Sequence, residues 1–165
     1  MSYLRFAAMI ATSTVVMYGL MYLNTYQFDH VFYSQTRLWM ALLMGAVMAV
    51  IMLGFMWTMY KKRATNFAII AGAIAVFAGS LFLVRSQALV GDVDYMRAMI
   101  PHHSIAVLTS TNANIRDARV RELADEIIAA QVREIDEMKE LIADLEASPP
   151  PADAPVLEPR PVDGS

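Results

Sequence analysis

The chain contains no cysteine, which removes disulfides, thiolate metal centres and cysteine nucleophiles together. Soft-ligand chemistry would have to come from thioethers and imidazoles, and the 13 methionines and 3 histidines offer both. Charge is scarce too. Charged residues make up 18% of the chain against 57% apolar, and the mean hydropathy of +0.42 is too high for an ordinary soluble domain. Acid is nearly missing from residues 1–84, where Asp29 stands alone against Arg5, Arg37, Lys61, Lys62 and Arg63, a balance of +4. The remainder holds 8 basic and 15 acidic side chains, a balance of −7, and that acidic half argues against a nucleic-acid partner. No Glu-x-x-His occurs, so the carboxylate-histidine pairs of a di-iron centre are missing. Neither a Ser-His-Asp arrangement nor a glycine-rich phosphate loop is visible, and the chain reads as a binding protein and not an enzyme.

What is present begins with three long runs free of acidic and basic side chains, 6–23, 38–60 and 67–84. Each is close to the roughly 20 residues that a bilayer core asks of a helix. They predict three transmembrane spans, at about 4–23, 38–60 and 67–84, within a membrane domain of residues 1–87. The first run reads as a retained span and not a cleaved signal peptide, because only Arg5 precedes it and Asn24-Thr25-Tyr26-Gln27 offers no small-x-small cleavage site. Orientation follows the positive charge, and Lys61-Lys62-Arg63 between the second and third spans is the strongest cluster. That loop and the N-terminus are expected in the cytoplasm. The first loop and everything after residue 85 are expected outside, in the periplasm or cell exterior if the membrane is a bacterial inner membrane.

Residues 88–147 predict an exoplasmic helical hairpin. Tyr95, Met96, Met99, His103, Ala106 and Val107 recur at three- and four-residue steps from Asp92 to about Asn112, with Pro101 expected to kink or restart the helix. Asp117 is a candidate cap for a second helix with apolar positions Val120, Leu123, Ala124, Ile127, Ile128, Ile135, Met138, Ile142 and Leu145. The charged residues between them, Glu137 included, form its solvated outer face. A lone hairpin of this size cannot bury both apolar stripes. A second copy would complete a four-helix bundle, so a homodimer or higher homo-oligomer is expected. Residues 148–165 carry most of the prolines and are expected to stay extended and disordered.

On the first exoplasmic helix Asp92, Met96, Met99 and His103 fall within about 60° of one another, while His102 points about 100° away from His103. Two thioethers and an imidazole on one face suit Cu(I) or Ag(I) better than magnesium or calcium, and methionine as core filler is the alternative. On the second helix Gln131 sits at the centre of the apolar stripe, with Glu134 at its edge and Met138 further along. A buried polar group there needs a partner, for which the opposite histidine is a candidate.

The pattern Asp92-x-x-Tyr95-x-x-x-Met99-Ile100-Pro101-His102-His103-x-x-Ala106, followed by Leu123-Ala124-x-x-Ile127-Ile128-x-x-Gln131-x-x-Glu134-Ile135-x-x-Met138, resembles domain-of-unknown-function (DUF) family 305. The resemblance covers residues 92 to 145 and implies a ferritin-like fold and periplasmic copper binding linked to copper and silver tolerance. It implies Met96, Met99, His102, His103 and Met138 as metal ligands, with Asp92, Gln131 and Glu134 as supporting residues around them. Family members commonly carry a further methionine where this chain has Thr109, and many have a longer domain. The expected fold class is therefore an all-α membrane protein of three transmembrane helices plus a hairpin that completes a ferritin-like bundle by dimerisation.

Two other readings remain open. Met40, Met44, Met48, Met52 and Met56 step along the second span, followed by Met59, with Met9, Met17 and Met21 in the first. The Met-x-x-x-Met spacing locally resembles the high-affinity copper transporter (Ctr) family, which would imply copper conduction. Four-residue steps drift about 40° each, however, so the ladder sweeps about 160° of the helix surface, and methionine as adaptable packing is the alternative. Ala71, Ala75 and Gly79 of the third span form a candidate helix-packing face, and His30 a candidate metal-access residue. Alternatively, the hairpin is an oligomerisation module on a membrane anchor, with the prolyl tail binding a partner.

Overall fold

The computed structural model describes residues 2–151 and 153–160, and over them regular structure is helical. Five α-helices follow one another: α1 (Tyr3–Leu20), α2 (Gln35–Phe55), α3 (Arg63–Ser86), α4 (Asp92–Asn112) and α5 (Ala118–Ala147). The first three are long and apolar enough to cross a membrane. Their ends differ from the charge-free runs because capping, and not hydropathy, sets a helix start. The Ser34 hydroxyl accepts the Arg37 amide (3.2 Å) and opens α2 at Gln35, placing Arg37 inside the helix. At the other end α2 stops at Phe55, and Trp57–Met59 form a 3-10 turn. The methionine ladder therefore ends at Met52, with Met56 at the cap and Met59 beyond it.

α2 is the middle helix, packed against α1 on one side and α3 on the other. Its small residues permit this: Ala41, Gly45, Ala46 and Ala49 are buried, as expected of close helix pairs in lipid. The small-residue face expected on α3 is not used within the chain, since Ala71, Ala75 and Gly79 are exposed. Instead α3 buries Asn66, whose side-chain amide donates to the Tyr60 carbonyl (2.9 Å) and whose oxygen accepts from the Tyr3 hydroxyl (2.8 Å). Those bonds fasten the N-terminus to the loop carrying Lys61, Lys62 and Arg63. Met9, Met52 and Met56 pack beside Phe6, Leu53 and Tyr60, so these methionines fill space between helices. Large apolar side chains such as Val15, Ile51, Phe67 and Phe82 face outward.

Past α3 the chain turns at Gln87, the only non-glycine residue at positive φ (52°) among the described residues. Its side chain donates back to the Val84 carbonyl (2.6 Å), which holds this left-handed cap without glycine. α4 opens at Gly91 with Asp92 and Asp94 in its first turn, where acids complement the helix dipole. It runs through Pro101 as one helix and does not restart there. α5 is capped by Asp117, which accepts the Arg119 amide (2.9 Å), as the sequence predicts. From Pro149 to Arg160 the described residues hold no regular element, only a turn joining Ala154 to Pro151 (3.0 Å). Positions 152 and 161–165, where the tail was expected to be disordered, lie outside the described residues.

α4 and α5 pair around Met96, Ile100, Ile135, Met138 and Ile142. Part of the cover expected from a second copy comes from the chain itself. The α1–α2 loop lays Phe32 against this cluster and seats His30 beside Ser104, with His30 Nδ1 at 3.0 Å from the Ser104 hydroxyl, which also accepts the Tyr26 amide (2.7 Å). Asp29 pairs with Lys139 of α5 (2.6 Å), and Gln35 donates to Asp94 of α4 (3.0 Å). His30 is therefore a docking residue. At the far end of the hairpin Val120 and Leu123 remain 50% and 56% exposed.

Two outcomes follow. A Cβ on Gly45 would lie 2.4 Å from the Thr14 hydroxyl oxygen and 3.2 Å from its methyl, whereas one on Gly54 meets nothing within 4 Å. Gly45→Ala should destabilise the α1–α2 pair by about 1–3 kcal/mol in detergent-unfolding measurements, and Gly54→Ala should not. Burial holds His30 below its ordinary pKa of 6.5, with Lys139 acting the same way against the opposing pulls of Asp29 and Asp136. The undocked loop then binds more protons than the docked one below pH 6.5, so docking weakens as the pH falls. Asp29 adds to this at lower pH, because pairing with Lys139 holds its carboxyl below its ordinary 3.8. Protection of the amides in residues 24–34, taken relative to the intrinsic exchange rate at each pH, should fall from pH 7.5 to 5, and His30→Asn should flatten that fall.

Candidate metal centre

α4 and α5 leave a cleft of about 460 Å³ along their seam. Met96, Met99 and His103 reach it from α4, and Met138 and Glu134 from α5, with Asp92 and Glu137 at its edge. Met96, Met138 and His103 are buried, so their donor atoms stand in a largely apolar wall completed by Leu141 and Leu145. Three thioethers and one imidazole thus share a single space.

The histidine's orientation is fixed at both ring nitrogens. Nδ1 lies 3.0 Å from the Met99 carbonyl oxygen and Nε2 lies 2.8 Å from Glu134 Oε2. A carbonyl oxygen only accepts, so the bond assigns a proton to Nδ1. Nε2 is then the nitrogen left for a metal, and Nδ1–H bonded to a backbone carbonyl is the usual way such a ligand is aimed. Nε2 faces a carboxylate, and two lone pairs at that separation repel. A positive charge on this axis would offset that repulsion, and a metal ion at Nε2 is one that could supply it.

Of the residues singled out in the sequence, the cleft gathers Met96, Met99, His103, Met138, Asp92 and Glu134. His102 is not among them. Its ring centroid lies 6.0 Å from that of His103 at 63°, and it lines a different cavity. Gln131 is half-buried one turn away, and the partner of the histidine is Glu134 instead. Glu137, which sequence reasoning put on the solvated face, is exposed and also borders the cleft. Its place beside the cleft follows from spacing, since Glu134, Glu137, Met138, Leu141 and Leu145 follow the i, i+3, i+4, i+7, i+11 rhythm of one face. Among the described residues no three His, Asp or Glu side chains converge as a metal-binding group, so any site here rests on thioethers.

Residues 92–160 match the family model described as Domain of unknown function (DUF305). The matched segment starts at the first residue of α4 and includes every side chain of the cleft. An "Uncharacterized protein L153" of Acanthamoeba polyphaga mimivirus is 38% identical over 64 residues, which cover 38% of this chain. The match spans 42% of that relative's length. No solved structure matches the chain.

The tautomer is directly measurable. Long-range 1H–15N spectra of the full chain should show His103 protonated at Nδ1, and Glu134→Gln should leave that proton in place because the Met99 carbonyl holds it. A bare Nδ1 would contradict the geometry.

Proposed function

We propose that the chain is a membrane-anchored exoplasmic binder of soft monovalent metal ions, Cu(I) and by the same donor chemistry Ag(I), serving copper homeostasis or tolerance. One observation carries the reading: Met96, Met99, Met138 and His103 line one cleft, with Nε2 of the histidine turned into a polar contact that a cation can replace. Thioethers are neutral and polarisable, so they hold Cu(I) and Ag(I) well and leave Zn(II) to depend on the single imidazole. Asp92, Glu134 and Glu137 bring negative charge to the rim and favour the approach of any cation. The match to the DUF305 segment is consistent with this reading, which the donor chemistry supports independently.

Anchoring rests on the three apolar helices with outward-facing Val15, Ile51, Phe67 and Phe82. The sidedness argument gains from two contacts. The α1–α2 loop touches the hairpin, so both belong to one side, while Tyr3 meets Lys62 and Asn66 at the other. With the basic Lys61–Arg63 loop in the cytoplasm, the hairpin is exoplasmic, and periplasmic in a bacterial inner membrane.

Self-association is part of the proposal, because exposed Val120 and Leu123 leave an apolar end for a second hairpin, which would complete a ferritin-like four-helix bundle. Copper conduction through the apolar helices gains no support from the packing. The cleft of about 660 Å³ that α1, α2 and α3 enclose is lined by residues such as Ile10, Thr14, Ala49 and Ile69, with none of the ladder methionines among its walls.

Replacing Met96 and Met99 together by Leu conserves volume and apolarity, so folding should change by less than about 1.5 kcal/mol. Titration of the detergent-solubilised full chain against a Cu(I) chelator should show at least a tenfold loss of Cu(I) and Ag(I) affinity in this double variant. Helix content and oligomer size should stay as in the parent. Unchanged affinity would make the two methionines packing residues alone.

A further inference from the structure

His102 is the member of the histidine pair that the hairpin cleft leaves out, and it faces a cavity of its own. This space of about 380 Å³ lies where α4 meets the outer end of α1 and the start of α2. Tyr95 and Met99 line both spaces, so they form the partition between them. On the far wall stands Met21, which caps α1 and is fixed there by its amide bond to the Met17 carbonyl (3.0 Å). Met21, Met99 and His102 therefore face one space, two thioethers and an imidazole drawn from the two halves of the chain.

The remaining lining favours soft over hard cations. Among the described residues no carboxylate borders this cavity, so magnesium, calcium and similar ions find no anionic oxygen from them there. Arg37 does border it, but its guanidinium donates to the Met21 carbonyl and lies 4.5 Å from the centre of the Tyr22 ring. Those partners occupy the arginine, and its bond to the Met21 backbone helps to fix the thioether's position. The other polar groups on its walls, those of Asn24, Ser34, Thr36, Gln87 and Tyr95, are neutral, and the soft donors are Met21, Met99 and His102.

We propose that Met21, Met99 and His102 form a second Cu(I) subsite, adjoining the hairpin site across Met99. The inference rests on the Cu(I) reading of the hairpin and extends it to the loop end of α1, a segment outside the matched family region. Met96, His103 and Met138 still give the hairpin site three donors when Met99 serves the second. Two three-donor sets suit two Cu(I) ions, since Cu(I) is satisfied by few soft ligands. Each ion enters as Cu(I) and forms only dative bonds, with no change of oxidation state.

The test is Cu(I) stoichiometry of the full chain in detergent, under reductant, in competition with a colorimetric Cu(I) chelator. The parent should bind two Cu(I) per chain. Met21→Leu, which keeps volume and apolarity, and His102→Ala should each leave one, at the affinity of the hairpin site. Met96→Leu with Met138→Leu should instead remove the other ion. Helix content by circular dichroism separates loss of a ligand from loss of fold, and Met21→Leu carries the conclusion if His102→Ala unfolds. A parent that binds one ion, or a folded Met21→Leu variant that still binds two, overturns the second subsite while the hairpin reading stands. A parent that binds none overturns both.

Discussion

Ser104 has no accessible surface, and its hydroxyl is where the α1–α2 loop meets the hairpin. A buried hydroxyl needs partners. The Tyr26 amide and the His30 ring meet that need, and in doing so they bring Phe32 onto the core and Asp29 to Lys139. The neighbouring residue His103 points to the other side of α4, towards Glu134. Adjacent side chains on a helix diverge by about 100°, so pinning Ser104 against the loop aims His103 into the α4–α5 seam. Docking the loop and orienting the histidine are consequences of the same contact.

Much of the hairpin was legible in the sequence. The apolar period from Asp92, its break near Asn112 and the cap at Asp117 place both helices with the ends that the structure has. Met96, Met99 and His103 share a face because their spacing forces it, and Met138 meets them because an antiparallel partner presents its own stripe. The register between the stripes was not legible. It depends on how the 113–117 connection closes, and the difference of one turn makes Glu134, not Gln131, the histidine's partner.

The loop cover escaped sequence reasoning because Tyr26–Phe32 has no period to read. Its single 3-10 turn, Phe28–His30, becomes meaningful only against α4. Hydropathy likewise found the three apolar helices without their true ends, since Ser34 starts α2 by capping while the adjoining Arg37 breaks a charge-free run. The choice between the small faces of α2 and α3 was also undetermined. Both offer alanine and glycine, and the close meeting of Gly45 with Thr14 decides for α2.

Methionine as core filler and methionine as the proposed ligand are compatible in this hairpin. Met96 and Met138 belong to the same buried cluster as Ile100, Ile135 and Ile142, and they also line the cleft. A carboxylate or imidazolium in such a wall would carry a desolvation cost whenever no metal was present. A thioether carries almost none, because it is neutral and packs as an apolar side chain. The hairpin can therefore hold soft donors inside its core and remain folded without an ion. Charge enters the cleft through Glu134, set against the His103 ring, where a cation could offset it. A chain without cysteine is well suited to this arrangement, since thioethers do not deprotonate and leave the core uncharged.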